Sequence, residues 1–251
     1  MKRTLYAVLF AAASVFILGS GLIWAQAEPS NQLWANVTLG FHNRHKLYFE
    51  LDIEPKVQVS ASDAFRNVDI TPAIEFYPNA WVDLTGEALI GHTHEYSDID
   101  SFEYTGRIGI RIHILSSNRK MLFPEEKLLG RIVLANLTRL EYRNFAYTGD
   151  TPNSHGWRLR DRLEFKYPLN TANMGVPKTY FILADVEAYF TLGQSISQTF
   201  ASKVRLRAGI GYRASNQWRV EILYIRDWAR NTLDQYDISM NALDLRFGWT
   251  F

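Results

Sequence analysis

From Leu33 onward, apolar side chains recur at every second position in runs of about 9 to 14 residues, the period of a strand whose two faces meet different surroundings. The clearest run sets Phe102, Tyr104, Gly106, Ile108, Ile110, Ile112 and Ile114 against Glu103, Thr105, Arg107, Gly109, Arg111 and His113. Similar rows hold Leu47, Phe49, Leu51 and Ile53; Tyr180, Ile182, Ala184, Val186, Ala188, Phe190 and Leu192; and Val204, Leu206, Ala208, Ile210 and Tyr212. Two more follow at Trp218, Val220, Ile222 and Tyr224, and at Leu243, Leu245, Phe247, Trp249 and Phe251. Eleven candidate strands result, at 33–42, 46–57, 68–77, 80–91, 102–115, 129–143, 157–167, 179–192, 203–213, 217–226 and 239–251. Helical spacing is nearly absent.

Alternation also suits a soluble sandwich, so strand length and the polar face must decide. Soluble strands average about 5 to 6 residues, whereas a tilted strand crossing a bilayer needs about 9 to 11. The polar rows are also densely charged: Arg158, Arg160, Arg162, Glu164 and Lys166 share one face. An arginine turned toward lipid near the midplane costs roughly 2 to 4 kcal/mol, so this row must face inward, and a one-residue slip would expose all of it. The expected fold is all-β, a closed antiparallel transmembrane β-barrel, because an open edge in hydrocarbon leaves a row of peptide groups unbonded. Single-chain bacterial barrels have even strand numbers. The eleven runs therefore imply about twelve strands, with ten possible, or a segment 28–42 that is not an ordinary first strand.

Composition narrows the picture. Beyond Thr4–Ala27 no uncharged apolar window of about 18 residues exists, which excludes a polytopic helical membrane protein. Lys2 and Arg3, the apolar stretch Leu5–Leu18 and Ala25-Gln26-Ala27 read as a secretory signal over residues 1–27, leaving 28–251 as a single barrel domain. Without Lys2 and Arg3 the mature chain has 25 bases against 26 acids, formal charge −1, so there is no electrostatic case for nucleic acid. No cysteine is present, which excludes disulfide frameworks, thiolate metal sites and cysteine nucleophiles. With the C-terminus periplasmic, the segments 60–67, 92–101, 146–156, 193–202 and 227–237 are outer loops. His42–His45, Pro78–Ala80 and Ala214–Asn216 are then inner turns, and 116–127 is a longer inner connection. Pro55 and Pro72 flank one outer loop and are expected near the rim, since proline cannot donate to a ladder. Trp34, Tyr77, Trp81, Tyr167, Tyr180, Tyr212, Trp218, Trp249 and Phe251 lie near strand ends, where aromatic girdles form. Asp161 sits on an apolar row with Trp157, Leu159 and Leu163, a misfit that a place above the outer boundary would relieve.

The inward rows carry the candidate chemistry. Glu50, Asp52, Glu54, Asp69, Glu75, Asp83 and Glu87 form an acidic wall, with Lys46 and Lys56 opposing. Arg107, Arg111, Arg131, Arg139, Arg143, Arg158, Arg160, Arg162 and Lys166 form a basic wall, against Glu103, Glu141 and Glu164. Such segregation would set a field across a water-filled pore; alternatively the charges pair and plug the interior. Rim residues His92, His94 and Ser97, and Ser154 beside His155, are the candidates for serine–histidine lipid chemistry, although no spacing demands it. His92-x-His94 lacks an evident third metal ligand. No catalytic residue, metal site or cofactor is assigned. Gly209-Ile-Gly211 reads as a small-residue lumen position, and the sequons at Asn36 and Asn136 fall inside strands.

The stretch Gly156-Trp157-Arg158-Leu159-Arg160-Asp161-Arg162-Leu163-Glu164-Phe165-Lys166-Tyr167-Pro168-Leu169, with Leu33-Trp34 and Leu245-Arg246-Phe247, resembles a family of uncharacterised bacterial outer-membrane barrels of unknown function. The resemblance covers about residues 33–251. Leu243, Leu245, Phe247, Trp249 and Phe251 resemble the aromatic C-terminal signal read by the outer-membrane assembly machinery. The resemblance implies export through the periplasm to the outer membrane of a Gram-negative cell. Lipid, lipopolysaccharide and that machinery are then the expected partners. The expected function is a narrow porin-like channel with a charge-polarised lumen for a small solute that the sequence does not name. A plugged structural or binding barrel is the alternative, and a lipid-modifying enzyme the least favoured.

Overall fold

In the computed structural model, which describes residues 30–43, 46–59, 65–94, 100–115, 131–149, 151–193, 203–230 and 236–251, the alternating runs become eleven strands. They are β1 (Ser30–Asn43), β2 (Leu47–Gln58), β3 (Arg66–Phe76), β4 (Val82–His94), β5 (Asp100–Leu115) and β6 (Val133–Tyr147). The rest are β7 (Ser154–Pro168), β8 (Thr179–Leu192), β9 (Lys203–Arg213), β10 (Trp218–Arg230) and β11 (Tyr236–Thr250). The segments 1–27 and 116–127 lie outside the described residues.

Each strand pairs with its sequence neighbours, and the sheet closes where β1 meets β11. All pairs are antiparallel except this last one, which runs parallel from Ser30↔Met240 to Gly40↔Thr250. The reason is arithmetic in direction. Each antiparallel step reverses the chain, so after an odd number of strands the first and last point the same way and can join only in parallel. β1 (Ser30–Asn43) is thus the unusual first strand that the odd count had pointed to, and the closed barrel needs no twelfth. Closure leaves no edge, as the Phe251 N–H donating to the Gly40 carbonyl at 2.9 Å illustrates at the rim.

The two faces are inverted relative to a water-soluble core. Ile108 and Ile210 are 66% and 60% exposed on the outer surface, whereas Glu141, Glu187 and Asp244 are fully buried inside. In an ordinary interior, carboxylates and guanidinium groups are almost never buried without partners. Here the alternation itself puts them there, because every second residue must point inward.

Three expectations are corrected. Pro55 and Pro72 do not sit at the rim. Pro72 pairs with Leu51 well inside β3, and the β3–β4 ladder skips from Ile70↔Ile90 to Ala73↔Glu87. Pro55 likewise opens the β1–β2 ladder between Trp34↔Lys56 and Val37↔Ile53, since neither proline has an N–H to give. Trp34 is not in a girdle but inward and buried, its Nε1–H donating to Gln32 Oε1 at 2.8 Å. Asp161 is not above the band: it is the central residue of the fifteen-residue β7. The outer aromatics elsewhere gather toward the strand ends, with Tyr180 against Tyr212 (4.5 Å between centroids) at the end bearing the C-terminus and Tyr142 against Trp157 (4.9 Å) toward the other.

The barrel interior as candidate functional site

The inward rows enclose a cavity of about 1080 Å³. Its lining runs from Gln58, Thr93 and Ser101 at the end away from the C-terminus to Tyr48, Glu75 and Gly248 at the other. Of the expected acidic wall, Glu50, Asp52, Glu54, Glu75 and Glu87 line it, as do Arg107, Arg111, Arg139, Arg158, Arg160 and Arg162 of the expected basic wall.

Two residues stand elsewhere. Arg131 precedes β6, and its guanidinium donates to the carbonyls of Pro168 (2.7 Å) and Thr171 (3.0 Å), capping the β7–β8 connection. Asp83 is buried behind the cavity, sharing a 2.5 Å hydrogen bond with His113 Nε2.

The basic wall is not bare. A belt of ion pairs runs along the wall from β3 to β10. Arg139 donates to Glu87 (3.0 Å) on β4 and to Glu187 (3.1 Å) on β8. Arg160 bridges Glu141 (2.8 Å) and Glu187 (2.7 Å), and Arg158 lies 2.6 Å from Glu141. Arg207 reaches Glu187 (2.9 Å) and Asp185 (2.7 Å), Arg143 takes Glu103 (3.0 Å), and Arg111 takes Glu75 (2.9 Å). Arg162 pairs with Glu164. Bidentate, desolvated pairs of this kind hold geometry strongly, because breaking one leaves a buried charge with nothing opposite it. Segregation therefore survives only in part. Glu50 and Asp52 on β2 form no ion pair with the described residues; the Thr38 hydroxyl donates to Asp52 at 2.6 Å.

Several groups of this belt escape a reading by charge rows. Glu187, Asp185 and Asp227 belong to inward rows that also hold apolar residues, such as Phe181 and Leu183 on β8, whereas Arg205 and Arg207 share with Lys203 a basic row on β9 that the wall drawn from β5–β7 left out. Asp227, expected at the start of an outer loop, is within β10 and binds Arg205 (2.7 Å) and Lys203 (3.2 Å). Aromatic rings extend the belt: Arg160 and Lys203 each stand 4.8 Å from the Tyr189 centroid, and Arg205 and Lys56 each 4.8 Å from that of Trp34.

At the C-terminal end the interior turns apolar. The connection after β7 folds Met174 inward onto Phe181, Leu183 and Leu223, with Val133 alongside. Gly211 makes room for this group: a Cβ there would lie 2.2 Å from the Phe181 ring. The small-residue lumen position expected at Gly209-Ile-Gly211 is thus occupied by an aromatic ring from the neighbouring strand.

At the opposite rim, His92 and His94 face outward on β4. His94 Nδ1 lies 2.7 Å from Asp100 Oδ1, and His92 Nε2 lies 3.8 Å from the other carboxylate oxygen. Ser97 lies outside the described residues. Ser154 and His155 point to opposite faces of β7, so they cannot act as a nucleophile and its base. Among the described residues no group of three or more His, Asp or Glu is arranged to hold a metal ion.

Residues 31–237 match the family model described as "Protein of unknown function (DUF2490)". No curated protein matches the chain.

Proposed function

This chain belongs to the DUF2490 family, and we propose that it is a bacterial outer-membrane β-barrel whose narrow, charge-lined interior passes small polar solutes or ions. The observation that carries this reading is the inverted partition. A closed cylinder with large apolar side chains outside and paired charges inside would expose its greasy face wastefully in water, but in a bilayer it satisfies both solvents. Strands of 11 to 16 residues are long enough to cross, and the outer aromatics fall where headgroups would meet them. On this reading the protein is exported through the periplasm and assembled by the outer-membrane machinery through its terminal row Leu243–Phe251. Its outer surface then contacts lipid and lipopolysaccharide.

The cavity lining reaches from one end to the other, which supports passage. In a planar bilayer the purified protein is expected to give small, stable conductance steps. Glu50→Gln combined with Asp52→Asn should lower cation preference, because these lumen-lining carboxylates stand outside the close ion pairs that hold the other acids. Absence of any conductance would contradict the channel reading.

A second reading, a plugged binding barrel, is favoured by one feature: Met174 and Phe181 fill the C-terminal end with apolar side chains. Under that reading Met174→Ser leaves the bilayer silent, whereas in a channel it raises the step size.

A further inference from the structure

The outer surface is not uniform. Between the aromatic rows, three polar side chains stand together on β6 and β7. Asn136 Nδ2 donates to both carboxylate oxygens of Asp161 (3.2 and 3.1 Å), and the Thr138 hydroxyl donates to Asp161 at 2.7 Å. Thr138 and Asp161 are register partners, so the group sits at one height, four residues from Trp157 and six from Tyr167. Around it the outward row is apolar: Ile110, Leu140, Leu159 and Leu163.

Side-chain size is unevenly spread as well. The outward rows of β1–β3 and of β10 and β11 between the girdles are almost all large (Val, Leu, Ile, Phe and Pro, with Tyr224 and Arg226 on β10), Ala35 being the one small side chain among the described residues. The outward rows of β4–β9 hold Gly86, Ala88, Gly106, Ala184, Ala188 and Ala208, and Ala188 is the register partner of Asp161. A polar cluster flanked by small residues is the composition that lets two membrane surfaces approach and hydrogen-bond. A carboxylate facing acyl chains alone gains nothing from its position there.

The geometry points to β6–β7 as the contact face between two copies of this chain in the membrane. This inference rests on the membrane reading given above. A second copy fits because the cluster is self-complementary: it offers donors in Asn136 and Thr138 and an acceptor in Asp161. A two-fold axis between neighbouring barrels lays each carboxylate against the other copy's donors. The arginine on the outward row of β10, Arg226, lies three strands from β7 and stands over the ring of Trp228 on its own strand (5.3 Å), so within one chain it does not meet the carboxylate.

The test uses the absence of native cysteine. Leu163→Cys beside the cluster and Ile53→Cys on β2 are each placed in the full chain, reconstituted at low protein-to-lipid ratio, and treated with a short bifunctional thiol reagent. Leu163→Cys is expected to yield a crosslinked dimer and Ile53→Cys none. Adding Asp161→Leu should cut the dimer fraction about tenfold, the scale of one hydrogen bond between membrane segments. Should that variant fail to assemble, Asn136→Leu with Thr138→Val removes the donors and should read the same loss. Equal crosslinking at both positions, none at Leu163, or a dimer indifferent to both sets of changes overturns the inference. So does capture of Leu163→Cys by a different protein in native outer membranes without any dimer. Nitroxide labels at the same two cysteines separate the failures. Contact with lipid at both, without crosslinking, overturns the dimer alone. Contact with water at both overturns the membrane reading and the dimer with it.

Discussion

Glu187 concentrates the chemistry of the interior at one side chain. It is fully buried, and its two oxygens meet Arg139, Arg160, Arg207 and the Tyr189 hydroxyl (2.7 Å). Replacing it by glutamine leaves three guanidinium groups without their shared counter-charge, so Glu187→Gln is expected to destabilise the barrel by about 3 to 5 kcal/mol. The check is the denaturant midpoint of the detergent- or lipid-refolded protein; an unchanged midpoint would show that water, not Glu187, satisfies those arginines. The same logic reassigns Arg158 and Arg160, expected from the sequence to be lumen charges that tune selectivity. Both are locked to buried carboxylates, so their loss should first cost stability, and selectivity should follow Glu50 and Asp52 instead. Gly211 gives a steric counterpart. Gly211→Val should destabilise by roughly 1 to 3 kcal/mol through collision with the Phe181 ring, and Phe181→Leu in the same chain should recover part of that loss in the same unfolding assay. Row membership of Arg107, Arg139 and Glu87 was legible from alternation alone. Glu187 and Asp227 were not singled out, because their rows contain Phe181, Leu183, Leu223 and Ile225 and so do not stand out as polar.

Strand existence was legible in every case, since eleven apolar rows of period two became eleven strands. Their limits were less so at the end away from the C-terminus. β6 continues to Tyr147 and β7 begins at Ser154, beyond the expected 143 and 157, because the wall rises past the apolar band. Outward positions there are polar, Asn144 and His155, and the periodic signal fades while the ladder goes on. The prolines misled for a related reason. A missing N–H argues for a strand end, yet in a closed sheet neighbouring ladders hold the strand on both sides of the gap. Pro72→Val is therefore expected to restore a donor toward β4 and stabilise the barrel by about 0.5 to 1.5 kcal/mol. Slowed amide exchange at positions 71–73 and 87–90 would accompany it, and unaltered exchange would show that the ladder gap has another origin. The β7–β8 connection carried no periodic signal, so the inward turn of Met174 could not be foreseen.

For the whole molecule, the decisive property is which face meets which solvent. Which rows face the interior was legible from alternation and charge, but the parallel seam between β1 and β11 depended on the strand count and became visible only on closure. A cylinder with Ile108, Ile110 and Ile112 outside and Glu50, Glu87 and Arg160 inside makes opposite demands on probes confined to lipid and to water. Site-directed fluorescence quenching in reconstituted vesicles tests this directly, with single cysteines at Ile110 and at Glu50 labelled in turn. The account predicts that the Ile110 label is quenched by a lipid-borne quencher and spared by a water-soluble one, with the opposite pattern at Glu50. Quenching of the Ile110 label from water, or of the Glu50 label from lipid, would contradict it.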